Sequence, residues 1–398
     1  MSFRFLRLFP VLIIGILLIC CSGGSEPSPT EKLQASVDAN WTQYKVDHGL
    51  PGGGMAIYLE TPSGNYFASS SMMAGVDKNT RFRILSNTKT FTAAAIMLLN
   101  QKGQLSIDDY IVSNIPGLGP AVPYVPDNAQ YSIPNKATIT IRQLLAHRAG
   151  VFDATNDAIP STAACPYAGI EDYTKYILAT DPNHLFSPGE FIGVDAACNL
   201  SYGIPGEVYH YSNTGYSILA TIIERVSGLP YDQFIMQNLI TPNGLDSTSV
   251  PVLPTDQMIP PPFNPGYQYY QGIFTDVTQS NMSAQIAEGN IISTPADLAR
   301  WVRRLIRGEA GLNSTSVQAM QTITPPSKSY GLGIVNMGSL GFGHNGAGNG
   351  YVSNMAYDPA ADVTTIVYCN VEDYANVPSG QLPLLVKASK DARAAVGY

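Results

Sequence analysis

An α/β domain split by an inserted all-α lobe is the fold class this 398-residue sequence predicts. Three observations carry that expectation. A helix and a strand hairpin open the globular part, short β-branched strands and a helix close it, and helices with long loops fill the middle. The hydrophobic fraction of 45% is enough for a sizeable core, and only 13% of the residues are charged. The formal net charge is −8 and no block of Lys and Arg stands out, which argues against a nucleic-acid partner, since phosphate neutralisation needs a basic patch.

The first 21 residues are a different kind of sequence. Arg4 and Arg7 precede an apolar run from Leu8 to Cys21, "LFPVLIIGILLICC", 14 residues long. That is short for a bilayer span and right for the core of a signal peptide. "SGGSEPSPTE" follows and reads as a flexible tether over 22–30. "LICC" is similar to a bacterial lipobox with Cys21 as the residue to be lipidated, although Cys20 stands where that pattern prefers Gly, Ala or Ser. The expectation is an exported, periplasmic or cell-envelope protein held at the membrane through a lipid on Cys21, with plain secretion as the alternative.

The globular part is predicted over 31–398, as an α/β lobe of about 31–85 and 290–398 around a helical lobe of about 86–289. Leu33, Val37, Trp41 and Tyr44 recur at helical spacing, so 31–49 is a helix. "GGGMAIYLETPSGNYFASS" reads as a hairpin around a Pro-Ser-Gly turn. The next helix carries Phe91, Ala94, Ala95 and Leu98 as its apolar stripe, with Gly103 as a C-cap. A helix begins again at Thr140, and 151–209 is irregular, with similar turns at "SPGEF" and "IPGEVYHYSN". Further helices are predicted over 216–226, 295–306 and 382–395, and strands in "YGLGIVNMG", "GFGHNG", "YVSNMAYDP" and "DVTTIVYCN".

Beyond the leader lie Cys165, Cys198 and Cys369. Cys369 sits in a β-branched run and reads as a buried small residue. Cys165 and Cys198 share a loop-rich region outside the cytoplasm, where a disulfide between them can persist; the sequence leaves that pairing open. The five His are scattered, no spacing resembles a metal site, and no cofactor is implied.

One stretch invites chemistry. In "RILSNTKTFTAAAIMLLN", Ser86 and Lys89 lie three residues apart, on one face of a helix start. A Ser hydroxyl is a weak nucleophile until a neighbour accepts its proton. A Lys amine can do so when burial and the positive end of the helix dipole lower its pKa, and that same end disfavours a Lys placed there for stability alone. The backbone N–H of Ser86 can serve as half of an oxyanion hole.

A lone S-x-x-K is a weak signal, and its company makes it specific. "FRILSNTKTFTAAAIMLLNQKGQLSIDD", "PGEVYHYSNTGYSILATIIERVSG" and "FGHNGAGNGYVSNMAYDP" occur in that order, with "TIRQLLAHRAG" and "GNIISTPADLARW" as supporting segments. Together they resemble the serine β-lactamase and penicillin-binding protein superfamily, in the branch of class C β-lactamases, D-Ala-D-Ala carboxypeptidases and related esterases. The resemblance runs from about residue 31 to the end. It implies a β-lactamase/transpeptidase-like fold, an antiparallel sheet flanked by helices with an inserted helical lobe.

It also implies an acyl-enzyme on Ser86, with Lys89 and Tyr211 sharing the acid and base roles. Tyr211 can relay protons if Lys89 lowers the pKa of its phenol. Asn213 offers an amide to a substrate peptide bond, with a helix cap as the plainer alternative. His344 stands where many relatives carry Lys, and Asn345 replaces a hydroxyl, so a substrate carboxylate is held less firmly. Gly346 lets substrate approach the strand, and the Ala347 N–H is the second oxyanion donor. His147 and His210 read as supporting residues. No Glu stands out as a base for deacylation, which leaves Tyr211 and Lys89 to activate water. The 17 residues "FIGVDAACNLSYGIPGE" between the two turns are expected to border the cleft. The reading is an envelope serine hydrolase of D-Ala-D-Ala carboxypeptidase type acting on short D-amino-acid peptides. A carboxylesterase, D-amino-acid amide hydrolase or weak β-lactamase is the alternative, and a non-hydrolysing penicillin- or peptide-binding protein is the second.

Overall fold

The computed structural model describes residues 26–119 and 121–398. The predicted leader, the lipidation candidate Cys21 and the first part of the tether lie outside the described residues.

The strands are β1 (Met55–Thr61), β2 (Gly64–Ser70), β3 (Phe82–Arg83), β4 (Tyr267–Tyr270), β5 (Ile273–Asp276), β6 (Ile292–Ser293), β7 (Val335–Asn336), β8 (Phe342–Gly348), β9 (Tyr351–Asp358), β10 (Val363–Cys369) and β11 (Val371–Asp373). Six of them form one antiparallel sheet in the order β2-β1-β10-β9-β8-β7. The amino-terminal hairpin is therefore zipped to the end of the chain, with Met55 opposite Cys369 and Glu60 opposite Thr364. β10 is buried along its whole length, which is why its sequence is a continuous apolar and β-branched run with no polar alternation.

The helices are α1 (Pro29–His48), α2 (Thr88–Gln101), α3 (Ile141–Leu145), α4 (Tyr173–Leu178), α5 (Pro188–Cys198), α6 (Asn213–Ser227), α7 (Tyr231–Ile235), α8 (Pro295–Ile306), α9 (Ser314–Gln321) and α10 (Leu382–Ala395). α1 and α10 cover one face of the sheet through Leu33, Val37, Trp41, Leu385 and Ala388. The other face packs on α8 and on the helical region, where α2 is buried from Thr88 to Leu99 and joins α6 in the largest core.

Three expectations change. The tether does not reach residue 30: Ser28 caps Glu31 in a reciprocal capping box with Pro29 at the first helical position, so α1 starts there. The segment 86–289 is not all helix, because β4 and β5 form a hairpin in it, and β4 pairs in parallel with β11 from the chain's end. "SPGEF" is a helix start and not a turn: Ser187 precedes Pro188, and α5 runs on to Cys198. Cys165 and Cys198 are bridged, with their Cα atoms 4.9 Å apart, and Cys369 is free and buried. The bridge closes a small separate core of Phe152, Tyr173, Phe186, Phe191 and Val194.

Candidate active site

Ser86 sits on a 3-10 turn, Leu85–Asn87, between β3 and α2. The turn is strained and held. Leu85 has φ 48, a left-handed conformation that costs a branched residue about 1–3 kcal/mol. Asn87 offsets part of that cost, its Nδ2 donating to Ile84 O at 2.7 Å and to Ser353 Oγ at 2.8 Å. β8 approaches so closely that a Cβ on Gly346 would lie 2.2 Å from Ile84 O, so only glycine fits.

Lys89 follows in the first turn of α2 and is fully buried. Its Nζ lies 3.1 Å from Ser86 Oγ, 2.9 Å from the Glu288 carbonyl oxygen and 3.5 Å from Glu288 Oε2. Burial is the main reason its pKa falls to about 8; the Glu288 and Asp153 carboxylates oppose the fall. Glu288 is buried as well, and loss of hydration lifts it to about 7 against the pull of Lys89.

Tyr211 completes the group. The Lys89 Nζ stands 4.8 Å from its ring centre. The Ser86 hydroxyl lies close enough to its phenol to oppose the rise in its pKa. The ring is braced by His147, whose ring centre is 4.1 Å away and whose Nδ1 accepts from the Ser212 N–H at 3.1 Å. Burial and the Glu288 and Asp153 charges raise the phenol well above 10. Tyr211 is thus a proton donor at neutral pH, and the expected lowering by Lys89 does not prevail.

His344 is buried on β8, 6.3 Å from the Tyr211 ring centre. Its Nδ1 lies 2.6 Å from the Asn345 carbonyl, which only accepts, so Nδ1 carries the hydrogen. Nε2 then accepts from the Tyr330 hydroxyl at 2.9 Å. Burial first, and the Lys89 charge second, push His344 down to about 3. It is neutral.

A cleft of about 640 Å³ opens over Ser86. Asn213 and Ala347 line it, along with Glu288, Gly348 and Asn349. Asn213 Nδ2 donates to Thr155 Oγ1 at 2.9 Å, and its Oδ1 is buried without a partner among the described residues. α4 and its flanks add Glu171, Lys175 and Asn183 to the lining, and β4 adds Gln268. Among the described residues no group of His, Cys, Asp and Glu is arranged to hold a metal.

A family model described as Beta-lactamase matches residues 37–384. The chain belongs to the β-lactamase family. As a member of the serine β-lactamase and penicillin-binding protein superfamily it is a serine hydrolase. Penicillin-binding protein 4* of Bacillus subtilis (strain 168) is 32% identical over 175 residues, 43% of this chain and 31% of its own, so the match spans about a third of that relative. Among solved structures, a D-stereospecific amidohydrolase from Streptomyces sp. superposes with TM-score 0.71 at 25% identity, over 90% of this chain and 98% of the other. A D-amino acid amidase from Ochrobactrum anthropi SV3, complexed with D-phenylalanine, gives 0.69 at 22% identity, over 92% and 99%.

Within this β-lactamase-family chain the sequence-predicted residues separate into two groups. Ser86, Lys89 and Tyr211 come together, and Asn213 and Ala347 face the cleft with Ser86. His344, Asn345 and Gly346 do not line it. His344 is turned onto Tyr330, Asn345 is half-buried with its Oδ1 unpartnered, and Gly346 admits the nucleophile's own turn where substrate was expected. His210 stacks on Tyr202 with ring centres 3.3 Å apart, away from Lys89. The helical insert α5 is packed behind the wall, and 171–183 borders the cleft in its place. Sequence reasoning missed Glu288. It lies 199 residues from Lys89, and its only signal is its place just before the supporting segment "GNIISTPADLARW".

Proposed function

We propose that this chain is an exported amide hydrolase for D-configured substrates, acting best where no free carboxylate follows the scissile bond. Amides of D-amino acids and of short D-peptides are the substrate class. The observation that carries this reading is the neutral His344, locked to Tyr330 on the strand beside Ser86. A D-Ala-D-Ala carboxypeptidase has to pair a terminal carboxylate, and a charged partner contributes roughly 1.5–3 kcal/mol to such a bond. Lys175 is the one Lys or Arg among the cleft-lining residues described, and Asp172 already engages it at 3.1 Å. The names of the Streptomyces and Ochrobactrum proteins support the D-stereospecific amide assignment.

In the proposed reaction Ser86 Oγ attacks the carbonyl carbon as Lys89 takes its proton. The backbone N–H groups of Ser86 and Ala347 hold the oxyanion, which in other enzymes is worth about 3–4 kcal/mol per donor. Tyr211, protonated, passes a proton to the leaving nitrogen and is reprotonated by the Lys89 ammonium, and Asn213 aligns the acyl side. A substrate panel tests the reading: D-phenylalaninamide, a D-Ala-D-Ala peptide, a short-chain aryl ester and a chromogenic cephalosporin. The amide is expected to show the highest kcat/KM. A D-Ala-D-Ala peptide turned over faster than the amide would restore the carboxypeptidase reading, and equal fluorophosphonate labelling of wild type and Ser86→Ala would remove the serine mechanism. Export rests on the leader and on the Cys165–Cys198 bridge, which suits an oxidising compartment. Anchoring rests on Cys21, and loss of the protein from the membrane fraction in Cys21→Ser tests it.

A further inference from the structure

Glu288 is a buried carboxylate in the cleft, and the one ion pair it makes among the described residues is the 3.5 Å approach to Lys89. Such a pair is poor as a stabilising device, because desolvating both charges costs more than one long contact returns. The backbone around it is fixed with unusual thoroughness. Ala287 O accepts from Thr92 Oγ1 at 2.6 Å, and Ala287 N donates to Asn290 Oδ1 at 3.2 Å. Asn290 Nδ2 donates to Pro251 O at 2.9 Å, and Ile291 N to Thr88 Oγ1 at 3.2 Å. Ala287 itself takes φ 71, a conformation held open for a residue with a Cβ only by these contacts. The loop is thereby pinned to α2, the helix that carries Lys89, and the carboxylate points at the lysine from the cleft side.

We infer that Glu288 is the general base that hydrolyses the acyl-enzyme. The inference rests on the acyl-Ser86 reading and adds the step that reading left to Lys89 and Tyr211. After acylation the carboxylate takes a proton from a water in the cleft as the water oxygen bonds to the acyl carbon. The tetrahedral intermediate then breaks the bond to Ser86 Oγ, the Glu288 proton is relayed through the Lys89 amine to that oxygen, and the product acid leaves. Ser86, Lys89, Tyr211 and Glu288 thereby regain their starting protons. The charged and titratable groups around the pair are Asp153, Tyr211, Tyr216, His147 and His344. Burial makes the neutral rings of both His weak bases and keeps the Tyr protonated, so none of these four competes for the water's proton. Asp153 is held by Thr155 and Asn156.

The test is Glu288→Gln with a chromogenic aryl ester, read as burst, steady state and intact mass. A burst of one product per enzyme is expected to survive, while steady-state turnover falls by about 10²–10⁴-fold, the range for loss of a positioned base. A covalent adduct should accumulate on Ser86. Loss of the burst together with turnover would overturn the proposal, because Glu288 would then act only through Lys89 in acylation. A fall of less than threefold without adduct would overturn it as well. Glu288→Asp, which keeps the charge and should fold alike, is expected to regain part of the turnover with a smaller adduct. Failure of wild type to burst with the ester, or equal labelling of Ser86→Ala, strikes the serine mechanism and not this step.

Discussion

Two buried nitrogen bases stand near the Tyr211 ring, and they end in opposite states. Lys89 and His344 are both stripped of water, which disfavours charge on each. Lys89 keeps a pKa of about 8 because Glu288 and Asp153 stand near it. His344 falls to about 3 through burial and then the Lys89 charge, with only the Asn345 carbonyl opposing the fall. Burial sets the direction in both places, and the partner sets how far it goes. One base is therefore set to move protons and the other to stay neutral.

The largest test of that contrast is Lys89→Met, which should cost about 10²–10⁴-fold in the acylation rate and also lower Tm, since it leaves the buried Glu288 without its cationic partner. A loss below tenfold would move the base role elsewhere. Next is pH. The base must be unprotonated, so acylation should rise with pH, roughly tenfold per unit, and level above about 8 as Lys89 loses its proton. In Glu288→Gln the carboxylate that holds this pKa up is gone, and the rising limb should move to lower pH; an unmoved limb in stopped-flow burst rates would show the pair to be uncoupled.

His344→Lys probes the neutral side. A cation there should favour substrates ending in a carboxylate by about tenfold or more in kcat/KM, expressed mainly in KM. An unchanged substrate ratio would mean that the carboxylate is held elsewhere, with Lys175 the first place to look. The smallest effect on activity is expected from Tyr330→Phe. It strands the His344 Nε2 in the interior at a cost of about 1–3 kcal/mol in urea unfolding, with kcat changed less than threefold. A large kcat effect would draw Tyr330 into the chemistry.

The frame of the fold was legible because period and chain order agree. The run 363–369 is buried on both faces, and 295–306 and 382–395 carry helical stripes that the structure keeps at the same residues. The β4–β5 hairpin was not legible, since "YQYY" and "IFTD" are short and become strands only by pairing with each other and with β11. α5 was obscured by its resemblance to the later "IPGE" turn, though Ser187 and Pro188 are themselves a helix-start signal. In the site, Ser86 and Lys89 were readable because one turn of helix joins them. Glu288 was not, because a contact across 199 residues leaves no local pattern. His344 could be located but not oriented, and its turn onto Tyr330 depends on a hydroxyl that only the folded sheet supplies.

The zip between β1 and β10 has a consequence for when this enzyme becomes active. Ser86 emerges early from the ribosome, yet β8, which closes on its turn, and β10, which receives β1, come more than 250 residues later. Pairings that distant form slowly and only after the intervening chain exists. A nascent chain still threading outward thus carries an inert hydroxyl, and the hydrolase is switched on by the completion of its own last strands.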